Sequence, residues 1–400
     1  MSKKLAIHGG EPIRTEPYPT WPTAGAREEE LLLEVIRSRQ WGGYNQLVGE
    51  FEKLFAEMHD CQHAVTCVNG DTAIEIALHA AGIGPGDEVI VPAHSFIATS
   101  SAVSRVGAIP VFVDIDRDTY NISPDRILEA AGERTKAVIV VHFGGIMAEM
   151  DRIQQVAAQK DLVVIEDAAH AHGAEWHGQR AGSIGLVGTF SFQNTKVMTA
   201  GEGGIITTNE NDIAARARSY GNCGRRQGAG WFDHFILASN YRMTGFQAAV
   251  LTAQLEKLPE QVRLRQQNAG LLMKSVRTPG IRFQTAPAGA NVQSFYIVTC
   301  GIEEKEFGVG RDEFVEAMKA EGIPCAPFYE KPLYRNPMYD NLAHRVEPCP
   351  VAEEACGHSF WLPLATLMGD EEDVLDIMRA IEKIHTAHKP IERSAGLPVN

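Results

Sequence analysis

Residues 137–167 read AVIVVHFGGIMAEMDRIQQVAAQKDLVVIED. Two short Val/Ile runs, AVIVV (137–141) and LVVIED (162–167), flank a helical stretch, DRIQQVAAQK (151–160). Neither run alternates apolar with polar residues. Each therefore predicts a strand covered on both faces, as in a parallel sheet packed between helices. The pattern continues outward in both directions. AVTCV (64–68), EVIVP (88–92) and IPVFVD (109–114) precede it, and GTFSF (188–192) and GGIITT (203–208) follow, with TAIEIALHAAG (72–82) as one intervening helix. The fold class this predicts is α/β, a mainly parallel central sheet sandwiched by helices.

The flanks differ in character. Residues 1–24, with GGEPIRTEPYPTWPTA at 9–24, are rich in Pro and Gly and predict an extended N-terminal arm. REEELLLEVIRS (27–38) opens the large unit, 25–275, as a helix with an acidic first turn and a basic last turn. Helical stretches at 244–257 and 260–275 close it. A smaller α+β unit spans 276–390, with a strand at 294–300 (SFYIVTC) and helices near 312–321 and 371–387. In the last helix Val374, Ile377, Met378, Ile381 and Ile384 share one face. Residues 391–400 have no periodicity and read as a tail.

Composition narrows the function. The 400 residues are 44% apolar and 22% charged, the balance of a globular protein of roughly two or three folding units. The 37 basic and 51 acidic residues leave a net charge of −14, which argues against nucleic acid or an anionic membrane as partner. The seven cysteines, at 61, 67, 223, 300, 325, 349 and 356, form neither C-x-x-C nor zinc-ligand spacing. No metal site or disulfide framework is expected. The opening MSKKLAIHGGEP is followed by no apolar signal region, and no run is long enough to span a membrane. A cytoplasmic protein with reduced thiols is the expectation.

The chemistry concentrates between residues 163 and 208. Asp167 ends an otherwise apolar strand, where α/β sheets bind ligands; the alternative is a cap on the following turn. Lys196, in FSFQNTKVMTAGEGG, is the only lysine between Lys160 and Lys257 and has no charged neighbourhood. A lysine in a pocket sheds its proton readily and acts as a Schiff-base nucleophile. An acid plus such a lysine suits pyridoxal 5′-phosphate (PLP), which needs an amine partner and an anion against its pyridine nitrogen. VNGDTAIEIAL (68–78) adds a strand, a Gly turn and a helix N-terminus aimed at a phosphate. Ser191 would contribute a hydroxyl, and Phe96 fits either ring stacking or the core.

These pieces stand in the order NGDTA, GIGPGDEVIVPAHSFIATSSAV, VFVDID, VHFGG, EDAAHAHGA, FSFQNTK with TAGEGG, SNYRM and PVAEEA. In that order the chain resembles the PLP-dependent sugar and cyclitol aminotransferases of the DegT/DnrJ/EryC1/StrS family, across roughly residues 20–365. The wording is most similar to the glutamine-dependent inosose aminotransferases and to 3-amino-5-hydroxybenzoate synthase. The resemblance implies fold type I and a transfer of an amino group from glutamine or glutamate to a keto-sugar or keto-cyclitol. It implies that Lys196 bonds to the cofactor and shuttles the proton, that Asp167 pairs with the pyridine nitrogen, and that His170 contacts the ring hydroxyl. Phe96 stacks, while Gly70, Asp71 and Ser191 form the phosphate cup. Asn240 binds the phosphate of the neighbouring subunit, so a homodimer with shared active sites is implied.

One position departs from the family. Asp71 stands where Thr or Ser is usual, and a carboxylate facing a phosphate is repulsive. The expectation is that Asp71 caps the helix or faces away, leaving Thr72 to supply the hydroxyl. Two other functions compete: an aromatising dehydration of the 3-amino-5-hydroxybenzoate synthase type, and a non-catalytic regulator that keeps only the fold. Elsewhere His142, His172 and His177 read as structural or interface histidines, Glu166 and Asp167 as opposite faces of one strand, and GEGG (201–204) as a tight turn. Arg225 and Arg226 fit a solvated loop or a substrate contact. Tyr329, Tyr334 and Arg335 are acceptor-site candidates.

Overall fold

The computed structural model describes residues 4–388; the expected tail at 391–400 lies outside them. Seven strands fall where the apolar runs place them: β1 (His63–Cys67), β2 (Glu88–Pro92), β3 (Ile109–Val113), β4 (Thr135–Val141), β5 (Val163–Asp167), β6 (Val187–Ser191) and β7 (Gly204–Thr208). The C-terminal part adds β8 (Ile281–Phe283), β9 (Ile297–Ile302), β10 (Ala326–Pro327), β11 (Arg345–Val346) and β12 (Ser359–Pro363). The large sheet has the order β1-β7-β6-β5-β4-β2-β3-β11. All neighbours in it are parallel except β7, which runs antiparallel to both β1 and β6. A smaller antiparallel sheet has the order β8-β9-β12-β10.

Both faces of the large sheet are dry, which is why its strands read as unbroken apolar runs. Ile90, Val138 and Val140 pack on one side with Phe51, Phe55 and Ile153. These come from α2 (Gln46–Met58) and the helix Met150–Lys160. Val89, Val91, Ile139 and Ile165 pack on the other with Ile74, Leu78 and Val103, from α3 (Gly70–Ala80) and α4 (Ala98–Arg105). The C-terminal strand β9 and the face of the helix Glu371–His388 formed by Val374, Ile377, Ile381 and Ile384 belong to a third cluster. Met378 is only partly buried there.

Two features differ from the reading above. The stretches at 244–257 and 260–275 are one 31-residue helix, Gly245–Ser275, that runs through Pro259. A proline removes one helical hydrogen bond. Here the buried Leu255, Leu258 and Val262 on either side hold the helix against the core. The arm, in turn, has a single 3-10 turn (Ala6–His8) yet is packed rather than free. Leu5 is buried, the N–H groups of Ala6 and Ile13 donate to the Glu321 carboxylate, and Arg14 pairs with Asp373 at 2.6 Å. Among the described residues no helix is long and apolar enough to cross a membrane, and all seven cysteines are free.

Candidate active site

The carboxyl ends of the parallel strands converge on one cavity of about 500 Å³. Asp167 is the last residue of β5 and Ser191 the last of β6. The turn after β1 delivers Gly70 and Asp71 at the start of α3, and the loop after β2 delivers Ser95 and Phe96. Gly70, Asp71, Phe96, Asp167, His170, Ser191 and Lys196 all line this cavity. A larger groove, about 740 Å³, runs beside Leu258, Val262 and Leu271, but it contains neither Lys196 nor Asp167.

The cup at α3 depends on close approach. A Cβ on Gly70 would lie 2.6 Å from the Ser191 Cβ, so only glycine lets this helix end meet β6. Asn69 Oδ1 accepts from the Thr72 N–H at 2.8 Å, and the Asn69 carbonyl accepts from Ala73. The N–H groups of Gly70 and Asp71, in the first turn, have no carbonyl one turn back and remain for an anion. This corrects the expectation for Asp71 and Thr72. Asn69, still extended at φ −166°, occupies the capping position, while Asp71 is already inside the helix, lines the cavity and acts through its charge on Lys196. Thr72 is buried and does not line it.

Electrostatics single out the lysine and the acid. Burial lowers the Lys196 amine to about 8, against the opposing pull of Asp167 and Asp71. Its Nζ lies 4.3 Å from the Tyr296 ring centre. Burial raises the Asp167 carboxyl, while a hydrogen bond from Thr99, the Ala169 N–H and the charge of Lys196 pull it back down. Thr99 Oγ1 donates to Asp167 Oδ2 at 3.0 Å, and Ala169 N to Oδ1 at 3.3 Å. His170 is held far below its usual range by burial and then by Lys196, so its ring is neutral. Its Nδ1 accepts from the Gly144 N–H at 3.3 Å, which leaves the hydrogen on Nε2 as a donor.

Other residues resolve as follows. Glu166 faces away from the cavity, bonded to His142 Nε2 at 2.8 Å and to the N–H groups of Gly182, Ile184 and Gly185. Burial alone would raise its carboxyl, but these partners hold it below the usual range. His177 meets Asp151, and His172 is buried between Phe190 and Phe192. No metal-binding cluster occurs among the described residues. Gly201 and Gly203 take positive φ in a turn, as GEGG implies. Phe96 is 51% exposed and lines the cavity, so it is not a core aromatic. Tyr329 lines the cavity, whereas Tyr334 and Arg335 turn to Glu353 outside it. Asn240 is exposed, away from this cavity, where its backbone bridges Asn222.

Sequence reasoning missed several lining residues: Ser95, Gln193, Thr195, Glu202 and Tyr296. Tyr296 donates to or accepts from Thr195 at 2.8 Å and stacks near His170, with ring centres 4.3 Å apart. It sits just before β9, about a hundred positions from the lysine, and nothing in its local sequence marks it. Trp21, in the arm, donates from Nε1 to the Lys196 carbonyl at 3.1 Å.

A model of the DegT/DnrJ/EryC1/StrS aminotransferase family matches residues 22–382. The chain belongs to that family. It is similar to the L-glutamine:2-deoxy-scyllo-inosose aminotransferase of Streptomyces paromomycinus, with 37% identity over 96% of this chain and 98% of that protein. In three dimensions it is similar to 3-amino-5-hydroxybenzoic acid synthase, with a TM-score of 0.87 and 34% identity over 94% of this chain and 99% of the other. It is also similar to DesV of S. venezuelae, solved with a ketimine intermediate, at a TM-score of 0.83 and 31% identity over 92% and 95% of the two chains. This aminotransferase has the fold type I architecture of its structural neighbours, and its cavity lies at the carboxyl edge of their shared sheet type.

Proposed function

We propose that this aminotransferase uses PLP to move the amino group of glutamine to a keto-cyclitol, with Lys196 and Asp167 as its catalytic residues. The observation that carries the reading is one cavity holding an amine lowered to about 8, a buried carboxylate, and a helix N-terminus beside a serine hydroxyl. That donor set fits PLP: an amine for the aldehyde, an acid for the ring nitrogen, and N–H and O–H donors for the phosphate. Similarity to two L-glutamine:2-deoxy-scyllo-inosose aminotransferases, at 37% and 36% identity, supports glutamine as donor and an inosose-like ketone as acceptor.

When bound, PLP supplies an electron sink for the carbanion left as the donor loses its α-proton. Lys196 Nζ, neutral in a useful fraction near pH 7–8, would take that proton from the donor α-carbon and hand it to the cofactor's former aldehyde carbon, on the far side of the bridging nitrogen. Asp167 holds a proton on the ring nitrogen, and His170 Nε2–H donates to the ring hydroxyl. Gly70 and Asp71, through their N–H groups, and Ser191, through its hydroxyl, bind the phosphate. Phe96 covers one face of the ring. A second copy of the chain would supply Asn240 to the cup. The exposed apolar side chains beside it, Trp231, Phe232, Phe235 and Leu237, support such an interface. Seven free thiols support a reducing, cytoplasmic setting.

Structural likeness to 3-amino-5-hydroxybenzoic acid synthase favours a second reading, an aromatising dehydration on the same lysine. One experiment separates them. Protein loaded with PLP is mixed with glutamine and followed by visible absorbance, then offered a panel of keto-cyclitols and keto-sugars with products read by mass spectrometry. Conversion to the pyridoxamine form, and amine transfer to a cyclitol, supports the proposal. Loss of water without use of glutamine supports the alternative, and no PLP uptake at all leaves only the non-catalytic reading. Lys196→Ala should remove both the absorbance band and turnover.

A further inference from the structure

Asp167 is buried at the end of β5, and a buried carboxylate that must face a ring nitrogen needs its plane fixed by other groups. On one oxygen it has the Ala169 N–H, at a long 3.3 Å. On the other it has the Thr99 hydroxyl at 3.0 Å. Thr99 has one hydroxyl hydrogen and gives it to Asp167. The 2.9 Å contact between Ser95 Oγ and Thr99 Oγ1 must then run from Ser95 to Thr99. The hydroxyls thus form a directed chain, Ser95 to Thr99 to Asp167, with both donors buried.

The chain spans elements. Ser95 lies in the loop after β2, Thr99 in the first turn of α4, and Asp167 on β5, with β4 between those two strands. The segment 95–99 also contains Phe96, so one short stretch bears both the face of the cavity and the support of its acid. We infer that Thr99, polarised by Ser95, is the positioning residue that fixes the Asp167 carboxylate toward the ring nitrogen of the bound cofactor. This rests on the cofactor assignment above. The charged and titratable groups around Asp167 are Lys196, His142 and Tyr329. None of them donates a hydrogen bond to it, so the hydroxyl has no substitute.

The test compares wild type with Thr99→Val, Thr99→Ser and Ser95→Ala, each loaded with PLP. The readouts are the pH titration of the visible absorbance, the PLP dissociation constant, kcat and KM for glutamine, and thermal unfolding without cofactor. A ring less firmly protonated draws less electron density from the nitrogen it shares with Lys196. Thr99→Val should therefore move the absorbance midpoint up by about one pH unit. It should lower kcat about tenfold or more, with KM within about twofold. Thr99→Ser should restore both, and Ser95→Ala should move the midpoint the same way by about half as much. A purely structural threonine would lower the unfolding temperature and leave the midpoint in place, which overturns the inference. If Thr99→Val does not fold, an unmoved midpoint in Ser95→Ala overturns it equally. Wild-type protein that takes up no PLP overturns the cofactor assignment and this inference together, whereas uptake with an unchanged Thr99→Val overturns this one alone.

Discussion

Lys196 owes its lowered basicity to place rather than to type. Burial takes its amine from the usual 10.5 to about 8, even with Asp167 and Asp71 pulling upward. The neutral amine is the nucleophile, so capture of PLP by the cofactor-free protein should quicken about tenfold per pH unit below pH 8 and flatten above it. Stopped-flow absorbance across pH 6–10 checks this, and a rate still climbing at pH 10 contradicts it. Asp71 is the counterpart case. Its carboxylate lines the cavity where the phosphate is proposed to dock, so Asp71→Ser should lower the PLP dissociation constant about three- to tenfold, read by equilibrium dialysis. Lys196 and Asp167 stand out in the sequence because each is an odd residue for its neighbourhood, and Ser191 because it lies five positions before the lysine; all three line one cavity. The cap at Asn69 was not legible because the sequence does not say which of Asn69, Asp71 and Thr72 takes that position.

Pairs of elements set the shape of the cup. α3 meets the end of β6 with no room for a methyl group at position 70, since a Cβ there would sit 2.6 Å from Ser191. Gly70→Ala should therefore cost about 1–3 kcal/mol of stability by overpacking and weaken PLP binding at the same time, measured by urea unfolding and dialysis. Unchanged binding would mean that the cup does not include this junction. The strands were readable because apolar runs buried on both faces leave a plain signature. The joining of two helical stretches through Pro259 was not, because the packing that overrides the proline comes from α2, from Ala26–Ser38 and from the C-terminal helix, all distant in sequence.

Across the whole molecule, the arm ties the two ends of the chain to the site. Glu321 is fully buried; it receives the N–H groups of Ala6 and Ile13 and pairs with Lys383 at 2.7 Å. Glu321→Gln leaves that ammonium buried without its counter-charge, with the Glu11 carbonyl as its remaining partner, and should destabilise the protein by about 3 kcal/mol in denaturant unfolding. Assembly is the other test at this scale. Phe232 is 85% and Leu237 97% exposed, and if the proposed dimer forms through them, replacing both with Asp should shift sedimentation to monomer and remove activity with it. What the sequence determined alone was the alternation of buried strands and helices and the choice of candidate groups, because hydrophobic pattern and residue chemistry are local properties. Only the tertiary structure decided which of those groups share a cavity, that Tyr296 and Ser95 join them, that Trp21 bonds the Lys196 backbone, and that Asn240 stands apart. Such neighbours are brought together by folding across a hundred residues or more, and no short window of sequence encodes a distance of that kind.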